Sequence, residues 1–275
     1  MKRYILLLFV IVLGLPSSLA QETKNLLILQ TSDTHSRIEP IEQAGDSYFG
    51  KGGFIRRATM IKHERAINPY LFLFDCGDFS QGTPYYNLFK GKVEIDLMNE
   101  MKYDAVTIGN HEFDYGLDNM ARLFKRAKFP IVCSNYDFRG TVLQKLVKPY
   151  VVFVRNGVRV GVFGLSPKLE GLVQKKNYQS IVYEDPIPIA NNMALMLRET
   201  QKCDVVICLS HLGIQFDKMM IPKTRNIDIV LGGHTHTFMN VPEAYTDLDG
   251  KIVKVLHTGV KGVKVGKIEM VLKKQ

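Results

Sequence analysis

The chain has 275 residues, 46% hydrophobic content and a formal charge of +9 at pH 7. That length suits one large α/β domain and is short for two, and the apolar content supplies a sizeable core. No basic-aromatic module is visible, so nucleic-acid binding is not expected. The lysine-rich stretch from Lys251 to Lys274 reads as a solvated face on alternating strands; attraction of phosphate-bearing substrates is permitted by the charge but does not follow from it. The cysteines Cys76, Cys133, Cys203 and Cys208 lack C-x-x-C spacing, which argues against a thiolate zinc site and suits small buried hydrophobes.

In chain order, the first feature is a leader. Lys2 and Arg3 precede an apolar stretch from Tyr4 to Leu15, then Pro16 and Ser17-Ser18-Leu19-Ala20. A basic start, short apolar middle and small-residue end predict a signal peptide over residues 1–20, cleaved after Ala20. The apolar part is shorter than the roughly 20 residues a membrane span needs, and no later segment is long and apolar enough. The mature protein, residues 21–275, is therefore expected as one catalytic domain, exported to a periplasmic or extracellular location, with no membrane span. An uncleaved anchor is the minority reading.

Strands are predicted at Leu26–Gln30, Leu71–Asp75, Ala105–Ile108, Pro130–Cys133, Val151–Val154, Val158–Leu165, Val205–Leu209, Ile227–Leu231, Ile252–Leu256 and Lys264–Leu272. Several are continuous apolar runs, as in strands buried on both faces. Arg155-Asn156-Gly157 reads as a hairpin turn, and the last strand alternates, so one of its sides faces water. Helices are predicted at Phe54–Ile67, Glu94–Met101, Leu117–Ala127 and Ile187–Thr200, the last opened by Asp185-Pro186. Alternating strands and helices, with a hairpin and antiparallel terminal strands, imply α/β with mixed sheets.

Five of the seven histidines fall in short motifs directly after these strands: Asp33-Thr34-His35, Gly109-Asn110-His111-Glu112-Phe113-Asp114, Ser210-His211 and Gly233-His234-Thr235-His236. Gly77-Asp78 closes a fifth strand. Ligands bind beyond the carboxyl ends of strands in open α/β sheets. Asp33 and His35, two apart in chain expected to be extended, would face one ion; His234 and His236 share that spacing. Asp78 can bridge two cations, Asn110 offers a carbonyl oxygen and His211 an imidazole. Mixed N/O ligation without thiolate suits Zn, Mn, Fe or Co and does not select among them.

Two divalent metal ions about 3.5–4 Å apart can hold a shared hydroxide as nucleophile and the non-leaving oxygens of a phosphate ester. His111, beside a ligand, need not be one; with Asp114 holding its ring it can serve as acid toward the leaving alcohol. Glu112 is left without a role. His63 reads as solvated, Tyr85, Tyr86 and Phe89 as packing, and His257 as a loop contact in preference to a supporting residue of the site. Each motif alone carries heavy false-positive risk; their joint occurrence at successive strand ends argues for a site.

The order of these motifs resembles the calcineurin-like metallophosphoesterases, and within them the catalytic domain of 5′-nucleotidases. Thr31-Ser32-Asp33-Thr34-His35-Ser36-Arg37-Ile38-Glu39, Gly52-Gly53-Phe54-Ile55-Arg56-Arg57 and Thr258-Gly259 extend the likeness from about Leu26 to Leu272. The resemblance implies a four-layer α/β/β/α sandwich. It places one metal on Asp33, His35, Asp78 and His236, the other on Asp78, Asn110, His211 and His234, and the catalytic dyad on His111 and Asp114. The expected substrate is a small-molecule phosphoester, in first place a nucleotide 5′-monophosphate. The alternatives are 2′,3′-cyclic nucleotides, another small phosphoester or, more distantly, a sulfur ester. The nucleobase-gripping domain of secreted 5′-nucleotidases is expected from a separate polypeptide, unless the substrate differs. The alternative from another class is a weakly catalytic subunit that binds such a nucleotide-recognition partner.

Overall fold

The computed structural model describes residues 23–273; the leader expected at residues 1–20 lies outside them. The first half runs β1 (Thr23–Thr31), α1 (Phe54–Ile67), β2 (Phe72–Asp75), α2 (Pro84–Phe89), α3 (Lys92–Met101), β3 (Ala105–Thr107) and α4 (Gly116–Phe124). It continues through β4 (Ile131–Val132), β5 (Tyr136–Asp137), β6 (Val147–Lys148), β7 (Tyr150–Arg155), β8 (Val158–Leu165) and β9 (Val182–Tyr183). The remainder is α5 (Pro186–Glu199), β10 (Val205–Ser210), α6 (Ile214–Met220), β11 (Ile229–Gly232), β12 (Glu243–Thr246), β13 (Ile252–His257) and β14 (Gly266–Lys273).

The long strands build two sheets, ordered β14-β1-β2-β3-β4-β6 and β12-β13-β11-β10-β8-β7, with β5 and β9 paired separately. β14, β12 and β7 run antiparallel to their neighbours, while the strands that carry the motifs pair in parallel. Both sheets are therefore mixed. Side chains alternate between faces along a strand, which divides the core. Leu26, Ile28, Phe72 and Phe74 pack with Val160, Val162 and Ile207 of the facing sheet. Leu27, Leu29, Leu71 and Leu73 turn the other way, toward Ile61, Ile95, Met98 and Leu123 of α1, α3 and α4.

Two glycines of β8 mark the remaining layers. A Cβ at Gly164 would run into the Val132 carbonyl and Thr107 Oγ1 of the first sheet, and one at Gly161 would meet Leu197 of α5 at 2.9 Å. Positions three apart on a strand face opposite ways, so β8 has the first sheet on one side and α5 on the other. The layers are α/β/β/α, as expected.

Local signals explain many boundaries. Asn156 (φ 51°) and Gly157 (φ 65°) form the two-residue hairpin loop, with Arg155 opposite Val158. Asp185 accepts a hydrogen bond from the Ile187 N–H at 3.0 Å and caps α5. β14 exposes Lys267 and Glu269 while burying Ile268. The helices α2 and α6 and the short strands β5, β6, β9 and β12 were not expected from the sequence. They span two to seven residues, too few to establish a period. All four cysteines are free and buried. Among the described residues, no helix is long and apolar enough to cross a membrane.

Phe74 is fully buried between the sheets. Phe74→Ala is expected to cost about 3–5 kcal/mol of stability, read as a lower denaturation midpoint in urea.

Candidate metal centre

The motifs converge because the strands that precede them are adjacent in both sheets. Asp33 and His35 follow β1, Asp78 follows β2, and Asn110 and His111 follow β3; His211 follows β10, and His234 and His236 follow β11. Glycines let the loops meet. A Cβ at Gly77 would lie 2.9 Å from Gly109 Cα and 3.0 Å from His211 Nδ1, and one at Gly233 would lie 2.9 Å from Asp33 Oδ2.

The backbone there is not extended, contrary to the sequence-based expectation. Asp33 (φ 49°), His35 (φ 45°), Asp78 (φ 53°), His234 (φ 75°) and His236 (φ 53°) are all left-handed. For non-glycine residues this costs about 1–2 kcal/mol each and persists only where the surroundings impose it. Here the loops are laced together. Asp33 N–H donates to the Gly77 carbonyl at 2.9 Å and His35 N–H to the Asp78 carbonyl at 3.0 Å. His234 N–H donates to Asp33 Oδ1 at 3.0 Å. Asp33 and His35 do share a cluster, but through turning backbone, not through strand periodicity.

Three sets of ligand atoms lie within 4.8 Å of one another: Asp33, His35 and His236; Asp78, His211 and His234; and His35, Asp78 and His111. His234 and His236, despite their spacing, fall in different sets. His211 Nδ1 is 2.5 Å from the Cys76 carbonyl and His35 Nδ1 is 3.3 Å from that of Ser80. These acceptors suit a proton on each Nδ1 and turn each Nε2 toward the cluster, the orientation found in metal-ligating histidine. His211 Nε2 faces Asp78 Oδ2 at 3.0 Å and Asp33 Oδ1 at 3.9 Å. His236 Nε2 lies 3.6 Å from Asp33 Oδ1 and 3.0 Å from His35 Nε2. Imidazole nitrogens and carboxylate oxygens gathered this closely form a donor set that a cation can occupy. Asn110 Oδ1 and His211 Nε2 are moreover buried with no hydrogen-bond partner. The residues present thus fit divalent metal.

The titration behaviour points the same way. Burial pushes Asp33 up to about 7, opposed by His211. Burial would raise Asp78 too, but the His211 charge and hydrogen bond hold it below the ordinary carboxylate range. Burial would lower His211, yet Asp78 and Asp33 raise it to about 10. Burial brings His35 and His234 down to about 4 and also lowers His236. Two buried carboxylates that share one imidazole make a site short of positive charge.

His111 and Asp114 stand at the edge of this cluster. His111 occupies a short 3-10 turn, His111–Phe113, and its Nδ1 lies 3.0 Å from Asp114 Oδ2. That hydrogen bond raises the imidazole above its ordinary range.

Some residues appear in roles the sequence did not indicate. His257 ends β13 fully buried, so the loop-contact reading is wrong: its Nε2 lies 2.8 Å from Asp217 Oδ2, and Asp217 Oδ1 accepts from Ser210 Oγ at 2.5 Å. This network supports the residue before His211. Asp217 lies on the unexpected α6, so no sequence signal linked it to His257. Tyr86 is buried and donates to the His111 carbonyl at 3.2 Å, and His63 is exposed on α1.

The fold and this histidine-carboxylate cluster at its strand ends define a metal-dependent hydrolase site. The calcineurin-like phosphoesterase family profile matches residues 26–238, and the chain belongs to that family. A snake venom 5′-nucleotidase from Crotalus adamanteus is 32% identical over 274 residues, covering 92% of this chain and 46% of its own length. The human 5′-nucleotidase is 33% identical over 222 residues, covering 78% and 38%. The chain thus spans less than half of these curated relatives. The crystal structure of a 5′-nucleotidase precursor from Thermus thermophilus superposes with TM-score 0.84 at 29% identity, over 90% of this chain and 51% of that one. A calcineurin-like phosphoesterase from Bacillus subtilis gives 0.75 at 29% identity, over 92% and 87%.

A ligand that binds only the folded state stabilises it, by about 2.7 kcal/mol at a hundredfold excess over its dissociation constant. Mn²⁺ is expected to raise the melting temperature of chelator-treated protein, and His211→Ala to abolish most of that rise, as read by differential scanning calorimetry.

Proposed function

We propose that residues 21–275 form an exported two-metal phosphoesterase that hydrolyses nucleotide phosphate esters, 5′-monophosphates first among them. The observation that carries this reading is the convergence of Asp33, Asp78, His211, His234 and His236 with the unpartnered Asn110 Oδ1 at one end of both sheets. The names of the relatives support nucleotides as substrate, and the leader pattern at residues 1–20 supports export; mass spectrometry of the exported protein is expected to find Gln21 at its N-terminus.

In this reading Asp33, His35, Asp78 and His236 would hold one divalent cation, and Asp78, Asn110, His211 and His234 the other. When bound, the cations supply Lewis acidity toward the phosphoryl oxygens and an activated water. The chain's own residues do the rest. With Nδ1 committed to Asp114, His111 has Nε2 available to a leaving-group oxygen. Asp114 holds the ring and favours the imidazolium, so His111 can hand a proton to the departing alkoxide as the phosphorus–oxygen bond breaks. The closeness of His111 to Asp78 and His35 supports this role.

The test is hydrolysis by metal-reconstituted protein across 5′-nucleotides, 2′,3′-cyclic nucleotides, an aryl phosphate and a sulfur ester. Release of phosphate from 5′-monophosphates is expected, lost on chelation and in Asp78→Asn, and reduced about 10²–10⁴-fold in kcat by His111→Ala. Activity that survives chelation would overturn the metal mechanism. Turnover of the aryl phosphate without any nucleotide would keep the chemistry and remove the substrate assignment.

A further inference from the structure

Glu112 lies inside the motif Gly109–Asp114 but belongs to none of the three ligand clusters. Its side chain is 1% exposed, and both carboxylate oxygens are taken up by main-chain amides. Oε2 accepts from the Gly109 N–H at 2.7 Å and the Asp78 N–H at 2.9 Å, and Oε1 accepts from the Ser80 N–H at 3.1 Å. One buried carboxyl group thus gathers three donors from two loops, those after β2 and β3. The loops are tied in the return direction as well, because Asp78 Oδ1 accepts from the His111 N–H at 2.8 Å. A Cβ at Gly109 would collide with that same Asp78 carboxylate.

Magnitudes show what this clamp can hold. The left-handed backbone of Asp78 (φ 53°) is strained for a residue with a Cβ and would relax if free to do so. Leaving even one buried amide without its acceptor is at least as costly as that strain, and three amides depend on Glu112. The clamp therefore outweighs the strain, and what it holds is Asp78, the carboxylate that occurs in two of the three clusters.

We propose that Glu112 is a positioning residue: by binding the amides of Asp78, Ser80 and Gly109 it fixes the direction of the Asp78 carboxylate and its distance from Asn110 and His111, and so sets the affinity for divalent cations. The proposal rests on the metal-site reading above.

The test uses the whole mature protein, stripped of metal by chelation and titrated with Mn²⁺ alone in a calorimeter. Glu112→Gln is nearly isosteric but replaces one acceptor oxygen by a donor. Its Mn²⁺ affinity is expected to fall about 10–100-fold. Ile61→Val, a mildly destabilising change in the core beneath α1, is expected to bind as the wild type does. In parallel, amide hydrogen exchange of metal-free wild type is expected to show Asp78, Ser80 and Gly109 protected, with protection lost in Glu112→Gln. A folded Glu112→Gln that binds Mn²⁺ as tightly as wild type overturns the proposal, as does equal loss of affinity in Ile61→Val. A wild type that takes up no Mn²⁺ overturns the metal reading instead. The exchange experiment then still decides, because amides as open in wild type as in Glu112→Gln refute the clamp.

Discussion

Four carboxylates, Asp33, Asp75, Asp78 and Glu112, are buried at 0–2% exposure around the ends of β1, β2 and β3. A buried anion costs several kcal/mol unless it is paired or well hydrogen-bonded, and the surrounding chain is arranged around that demand. Asp75 is satisfied locally, by Thr31 Oγ1 at 2.6 Å and the Gly77 N–H at 2.9 Å. Glu112 is satisfied by three amides. Asp33 and Asp78 are satisfied only in part, by loop amides and by one shared histidine. Their remaining lone pairs point toward other lone pairs, and that residual deficit of positive charge makes the pocket a site.

The same demand couples site to fold. The first sheet brings Asp33, His35, Asp78, Asn110 and His111, while the second brings His211, His234 and His236. The halves meet only if the sheets pack in register. Buried polar ties between the sheets secure that register: Gln30 Nε2 donates to the Gly232 carbonyl at 2.8 Å, Cys76 Sγ to that of Leu231 at 3.1 Å, and Ser166 Oγ to that of Ile108 at 2.6 Å. These ties lie next to the motif loops, so the apolar packing below them holds the left-handed turns above. Strain at the five site residues is sustained by a core that has no part in the chemistry.

Much of the fold could be read from the sequence where burial is two-sided. Val158–Leu165 was placed with its observed bounds, and α1 likewise, because long apolar runs and helical periods survive in any context. The segments that were missed are short: β5, β9 and α6 carry too few residues to show a period, and they exist because a neighbour offers hydrogen bonds or a surface. The site divides in the same way. All nine candidate residues lie in the loops that follow predicted strands, where the apolar runs give way to polar residues, with glycine directly before Asp78, Asn110 and His234. Strand periodicity does not bring Asp33 and His35 together, because the chain leaves extended geometry at Ser32.

The sequence by itself determined the kinds of side chain available, their order, and the strand ends on which they stand, because these depend on local composition and on apolar runs. Tertiary structure alone decided which of them share a position in space. His234 and His236 separate into different clusters, His257 turns inward to Asp217, and Glu112 faces the amides of Asp78, Ser80 and Gly109. Those pairings join residues as far as 201 positions apart, as in the contact of Asp33 with His234. They are set by which strands lie side by side in each sheet and by how the two sheets pack, and neither is encoded in local spacing along the chain.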